Sequence, residues 1–191
     1  PCNYGFNHGT WFVYDPPSDQ AGDGAFAPNR AFTPAAILDG LSNTVGMSEV
    51  KAYQPNYWDG GNPSTVGAAP PINAAALIPM IGGTFDSNGH TEWVEADVHE
   101  VGFTTTITPN YPVQTTVNGQ QYDVDYTSSR DGESITLPTY AAVTARSYHP
   151  GAVNAMMMDG SVRSIKDSIS VQIWRSLGTR AGGETVSADS Y

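Results

Sequence analysis

Apolar and polar positions along the chain alternate in short runs, with turn residues between them, and this pattern predicts mainly short strands. Gly9–Asp15 (GTWFVYD) reads as a short buried strand, and PPSDQAGDG after it reads as loop. FTPAAILDG predicts a short helix, with Thr33 as N-cap, Pro34 at the first helical position and Gly40 just past the end. Asn43–Tyr53 predicts a strand with Val45, Met47 and Glu49 on one face and Ser48, Val50 and Ala52 on the other. Residues 54–89 read as an exposed, loop-rich excursion, with a short helix in INAAALIPMIGG broken at Pro79. In Glu92–Glu100, Val94, Ala96 and Val98 alternate with Trp93, Glu95, Asp97 and His99, which predicts a half-buried strand. GFTTTITPN predicts a second.

The sharpest local signal is Asn118-Gly119, the preferred pair for a two-residue hairpin turn, between PVQTTV and QQYDVDY. Ala152–Met158 predicts an apolar strand, Asp159-Gly160 a turn and Ser161–Ile165 the returning strand. A closing helix follows, with Ser170 as N-cap, Val171, Trp174 and Leu177 at helical spacing and Gly178 ending it. Together these predict an α+β fold, mostly antiparallel β with short helices packed on the sheet. At 191 residues the chain is most simply one domain.

Composition narrows the function. Hydrophobic residues make up 39% and charged ones 14%, with Gly 20 and Pro 14, which suits a folded, turn-rich chain. The net charge of −11 offers no basic footprint for nucleic acid or an anionic membrane. No apolar run is long enough for a transmembrane helix or signal peptide. The chain does not begin with Met and reads as a processed or excised fragment. Cys2 has no partner within the chain; it is free or pairs outside it.

Nine residues lie between His149 and Asp159, the spacing of a candidate dyad. An extended Ala152–Met158 separates them by roughly 20–30 Å, so the spacing favours two ends of a structural element. His90, Glu92, Glu95, Asp97 and His99 form the densest set of ligand types. Such a set fits zinc or a merely solvated strand face, and no His-Glu-x-x-His signature is present. Asp15, Asp19 and Asp23 supply oxygen donors suited to a structural calcium ion or to an ordinary polar loop. Glu49 reads as a partner of Lys51 or an arginine, or as a buried acid–base carboxylate. Asp39 and Asn43 suit backbone capping, and Arg175 and Arg180 suit the end of the last helix. Trp11 and Trp174 read as core. Tyr53, Tyr57 and Trp58, in an exposed-looking loop, are candidates for partner or polysaccharide contact. Nucleophilic catalysis has little support: Cys2 is terminal, and there is no Gly-x-Ser-x-Gly elbow and no phosphate-cradling glycine loop.

HPGAVNAMMMDGSVRSI and WRSLGTRAGGE, with GDGAFAPN, ILDGLSNTVGMSEVKAY and GHTEWVEADVHEVGFTTTITPN upstream, resemble the prepilin-type His-x(nine)-Asp-Gly proteins abundant in planctomycetes. The matching motif positions are Asp39, Gly40, Ser42, Asn43, Thr44, Glu49, His149, Asp159, Gly160, Gly178 and Arg180. The resemblance implies a pseudopilin-like head, in a family largely of unknown function that also carries a solute-binding label. It implies a pilin-type leader and a hydrophobic N-terminal helix in the full-length protein, both absent from this sequence. The expected setting is the periplasm or cell surface, with pilin-like subunits or secretion-apparatus proteins as partners. The expected role is non-enzymatic, with no cofactor beyond the calcium just described. A carbohydrate- or solute-binding module is the alternative, and a metal-dependent hydrolase at His90–His99 a third reading.

Overall fold

A computed structural model of the chain describes residues 1–129 and 133–187. In chain order its strands and helices are β1 (Tyr4–Asn7), β2 (Phe12–Asp15), β3 (Gln20–Ala21), β4 (Val45–Glu49), β5 (Gln54–Trp58), α1 (Ala74–Leu77), β6 (Thr84–Gly89), α2 (Val98–Val101), β7 (Gly102–Phe103), β8 (Gln114–Val117), β9 (Gln120–Asp123), β10 (Asp125–Thr127), β11 (Thr139–Ala142), β12 (Ala152–Met157), β13 (Val162–Lys166) and α3 (Val171–Gly178). The first sheet has the order β13-β12-β4-β1-β7, the second β3-β2-β11-β10-β5-β6, and β8-β9 form a separate hairpin. Pairing is antiparallel except at β1–β7 and β10–β5. The protein is therefore β-rich, mostly antiparallel, with few and short helices.

The second sheet is a middle layer. Val13 and Ala141 face one apolar cluster, with Val45, Val153, Met157 and Ile165 of the first sheet and Phe103, Trp174 and Leu177. Phe12, Tyr140 and Ala142 face another, with Trp11, Leu77, Val113 and Tyr126. Alternation along β2 and β11 sends successive side chains into the two clusters, so all of β11 is buried. Trp11 and Trp174 are core, as their apolar surroundings predict.

Asn118 and Gly119 both hold positive φ, 51° and 82°, and join β8 to β9 in register, Val117 opposite Gln120. The β12–β13 hairpin also forms, but only Gly160 takes positive φ in its turn. Asp159 works through its side chain, accepting from Ser161 N at 2.9 Å and Ser161 Oγ at 2.6 Å. Ser170 caps α3 by accepting from Ile173 N.

Several elements differ from expectation. Pro34–Ala36 is a single 3-10 turn, and the Thr33 side chain makes no capping bond. Residues 54–89 are not all excursion, because β5 lies inside the second sheet, between β10 and β6. Buried Gln54 and Asn56 disguise β5 as loop; Gln54 Nε2 donates to Asp123 O at 2.8 Å. Glu92–Glu100 is a turn leading into α2, not a strand. Glu100 is buried and its Oε2 accepts from Thr91 N and Glu92 N at 2.8 and 2.7 Å, which folds the segment back on itself. Trp93 and Val94 are consequently both exposed, at 70% and 73%. The strand predicted in GFTTTITPN shrinks to β7 and one bridge, Thr104 to Thr144. Thr104, Thr105 and Thr106 are all buried because their amides and hydroxyls take up backbone carbonyls of both neighbouring segments, including Gly9, Thr10 and Ala141.

Candidate functional site

The first sheet's outer face carries the chemistry. Alternation along β4 turns Ser48 inward and Glu49 outward, and Tyr4 stands opposite Glu49 on β1. Glu49 Oε1 accepts from His149 Nε2 at 3.0 Å, and Oε2 accepts from the Asn154 amide at 2.7 Å. Asn154 Nδ2 approaches Oε1 at 3.4 Å. The loop carrying His149 is pinned by Ser147, whose hydroxyl donates to Ala152 O at 2.6 Å and accepts from the His149 amide at 3.0 Å. The partner of Glu49 is thus His149, not Lys51 or an arginine. Lys51 instead lies 4.6 Å from the centre of the Tyr148 ring. These residues edge a groove of about 310 Å³. A carboxylate holding an imidazole can move a proton, but the Ser147 hydroxyl in the same loop is committed to the backbone. Asp159 lies beyond β12, at its far end, so His149 and Asp159 close opposite ends of one hairpin.

A second gathering joins the remaining motif residues. Asp39 accepts from Thr179 Oγ1, Gly182 N and Gly183 N at 2.9, 2.8 and 2.7 Å. Gly40 has φ 97°, and its carbonyl accepts from Asn43 N. Thr44 Oγ1 donates to Thr179 O at 3.3 Å, and Ser42 is exposed. Arg180 donates to the carbonyls of Gly22 and Gly24 at 2.5 and 2.8 Å and stacks 4.2 Å from the Phe32 ring centre. Arg175 clasps Thr106 O and Pro71 O. Both guanidinium groups therefore bind loop carbonyls, and Arg175 also places its charge in the last turn of α3. Gly178 is the last residue of α3 and not a left-handed cap; a Cβ there would lie 2.7 Å from Thr105 Cγ2.

The calcium candidates point to different partners. Asp15 accepts from Ser18 N at 3.0 Å, Asp19 pairs with Arg30 at 2.7 Å, and Asp23 accepts from Thr10 N and Oγ1 at 2.7 and 2.6 Å. Among the described residues no three His, Cys, Asp or Glu side chains converge to hold a metal, so neither this set nor His90, Asp97 and His99 forms such a group, although His90 N donates to His99 O at 3.1 Å. His90 is buried, with Nδ1 3.1 Å from Glu100 O, and burial lowers its pKa to about 4. Burial lowers His8 likewise to about 4 and raises Glu100. Tyr57 and Trp58 lie on β5 rather than in a loop; Tyr57 packs edge-on to Phe85, 5.3 Å between centres. Tyr53 is 68% exposed, in a turn with φ 60°.

Sequence reasoning missed a buried ionic cluster. Arg146, 2% exposed, donates Nε and Nη2 to Asp123 at 3.1 and 2.8 Å and Nη1 to Asp125. Asp125 also accepts from Thr144 N at 3.1 Å. Burial pushes the Asp125 carboxyl up to about 6 against the pull of Arg146. The available signal was Asp-Val-Asp in a predicted strand, which puts both carboxylates on one face. Asn7 was also missed. It donates to Val45 O and Gly178 O at 2.7 and 2.8 Å and so ties β4 to α3.

Fold and site together define a β-rich α+β protein whose motif residues mostly fasten backbone segments. The chain belongs to the family described as protein of unknown function, DUF1559, whose profile matches residues 1–172. No curated protein and no solved structure matches it.

Proposed function

We propose that this chain is the globular head of a non-enzymatic, pilin-like protein displayed in the periplasm or at the cell surface. In this reading it is a structural or display subunit of a type II secretion or type IV pilus-like apparatus. The observation that carries it is the use made of the motif residues. Asp39, Thr44, Asp159, Gly178 and Arg180 engage backbone groups or allow close packing, as a scaffold requires. The sequence resemblance points the same way. No helix among the described residues is long and apolar enough to cross a membrane. Anchoring in this reading falls to a hydrophobic N-terminal helix of the full-length protein, and pilin-like subunits or secretion proteins are its partners.

The test is fractionation of the full-length protein in its host, with mass analysis of its N-terminus. Leader processing and co-purification with membranes or pili are expected. An unprocessed protein, soluble in the cytoplasm, overturns the proposal.

A further inference from the structure

We propose that the groove between Tyr4 and Tyr148 is a binding subsite for a saccharide ring carrying a carboxylate. The inference stands independently of the display role. Tyr148 is 88% exposed and Tyr4 56%, and both edge the same groove of about 310 Å³. That volume is at the small end of ligand sites, enough for one ring-sized guest. The Lys51 ammonium, 4.6 Å from the Tyr148 centroid, steadies that ring from one side and leaves the other for stacking. A tyrosine offers a pyranose an apolar face for its C–H groups at low cost in side-chain entropy.

The polar groups suit the rest of such a guest. A carboxylate has about four lone-pair sites, and Glu49 uses three on His149 and Asn154, so it still accepts from a hydroxyl. The chain carries a net charge of −11, yet Lys51 and Arg146 both border this groove. Arg146 is matched by Asp123 and Asp125, whereas the ion pairs of the described residues leave Lys51 without a carboxylate. A guest's carboxylate is the complement to that ammonium. Tyr4 also borders a neighbouring groove of about 250 Å³ floored by Met47, Met156 and Val162. A second ring of an oligosaccharide would pass over it.

The test is calorimetric titration of the chain with oligogalacturonate, oligomannuronate and oligoguluronate, the methyl ester of the first, and a polyglutamate peptide. At least one acidic oligosaccharide should bind, more tightly than the ester or the peptide. Tyr148→Ala should weaken it by about tenfold or more. Lys51→Met should reduce the acid to the level of the ester. Melting curves establish that both variants fold. Absence of heat with all three acids at about 5 mM overturns the proposal, since that concentration detects even millimolar affinity. Equal binding of polyglutamate, or full affinity in Tyr148→Ala, overturns it as well. None of these results bears on where the full-length protein resides.

Discussion

Glu49 and His149 stand 100 positions apart in the chain, yet Oε1 of one lies 3.0 Å from Nε2 of the other. The contact closes the outer face of the first sheet across β4 and β12. Its two ends are unequal. Glu49 is 14% exposed and also accepts the Asn154 amide, whereas the His149 side chain is 58% exposed. Glu49→Ala leaves a partly buried backbone donor unmet and should cost about 1–3 kcal/mol. His149→Ala removes an exposed pairing and should cost under about 1 kcal/mol. Urea unfolding of both variants checks this, and equal losses would mean that the imidazole, not the amide bond, carries the contact.

Gly178 has its role through close approach, not backbone conformation. A Cβ at this position meets Thr105 Oγ1 first, then Thr105 Cγ2 at 2.7 Å and Thr105 Cβ at 2.9 Å. Gly178→Ala should destabilise by about 1–3 kcal/mol despite alanine's better helix propensity. Thr105→Ala removes the Oγ1 and Cγ2 clashes but keeps its own Cβ, so the double variant should recover part of the loss. Strict additivity in thermal melts would show that the two residues are not in contact.

The hairpin at Asn118-Gly119, the β12–β13 pair, the cap at Ser170 and the core tryptophans were legible because each rests on neighbours in sequence. Turn chemistry and side-chain period decide them locally. Glu92–Glu100 misled because its alternation is real, but Glu100 finds its partners in the amides of Thr91 and Glu92. β5 was hidden by Gln54 and Asn56, polar residues buried in the sheet through bonds to distant or neighbouring carbonyls. The site was half legible. Glu49 read either as a paired carboxylate or as a buried acid–base group; its partner lies 100 residues away, and no local pattern encodes that. In the Arg146 cluster, Asp-Val-Asp signals the two carboxylates locally, but the arginine that meets them is brought there by strand order rather than spacing.

Arg146 should be costly to remove alone and cheap to remove with its partners. Arg146→Met strands Asp125, which is 2% exposed, and should cost about 3–5 kcal/mol. Replacing Asp123 and Asp125 by asparagine in the same chain removes the stranded charges and should return most of that loss. Denaturant titration of the single and triple variants measures both. A triple variant no more stable than Arg146→Met would show that the cluster's hydrogen-bond geometry, not its charge balance, holds β9 and β10 to the 144–146 segment.

The buried histidines should make the fold acid-sensitive. His8 and His90 bind protons near pH 6.5 when unfolded and only near 4 when folded. Between those values the unfolded chain holds more protons, so each imidazole contributes stability that is complete above 6.5 and lost as pH falls towards 4. Asp125 has the opposite sign. Its folded pKa of about 6 lies above the ordinary 3.8, so its contribution is complete below 3.8 and lost as pH rises through 6. Glu100, also raised by burial, acts in the same direction as Asp125. Two imidazoles against Asp125 leave an excess of roughly one proton at pH 5, less what Glu100 takes back, or at most about 1.4 kcal/mol per pH unit. Unfolding free energies at pH 7, 6 and 5 should therefore decline. His8→Gln and His90→Gln should each flatten the decline, whatever they cost at pH 7, and the double variant should flatten it further, because the raised carboxylates act in the opposite direction. An unchanged slope in both single variants would show that these imidazoles reach solvent and protonate freely in the folded protein.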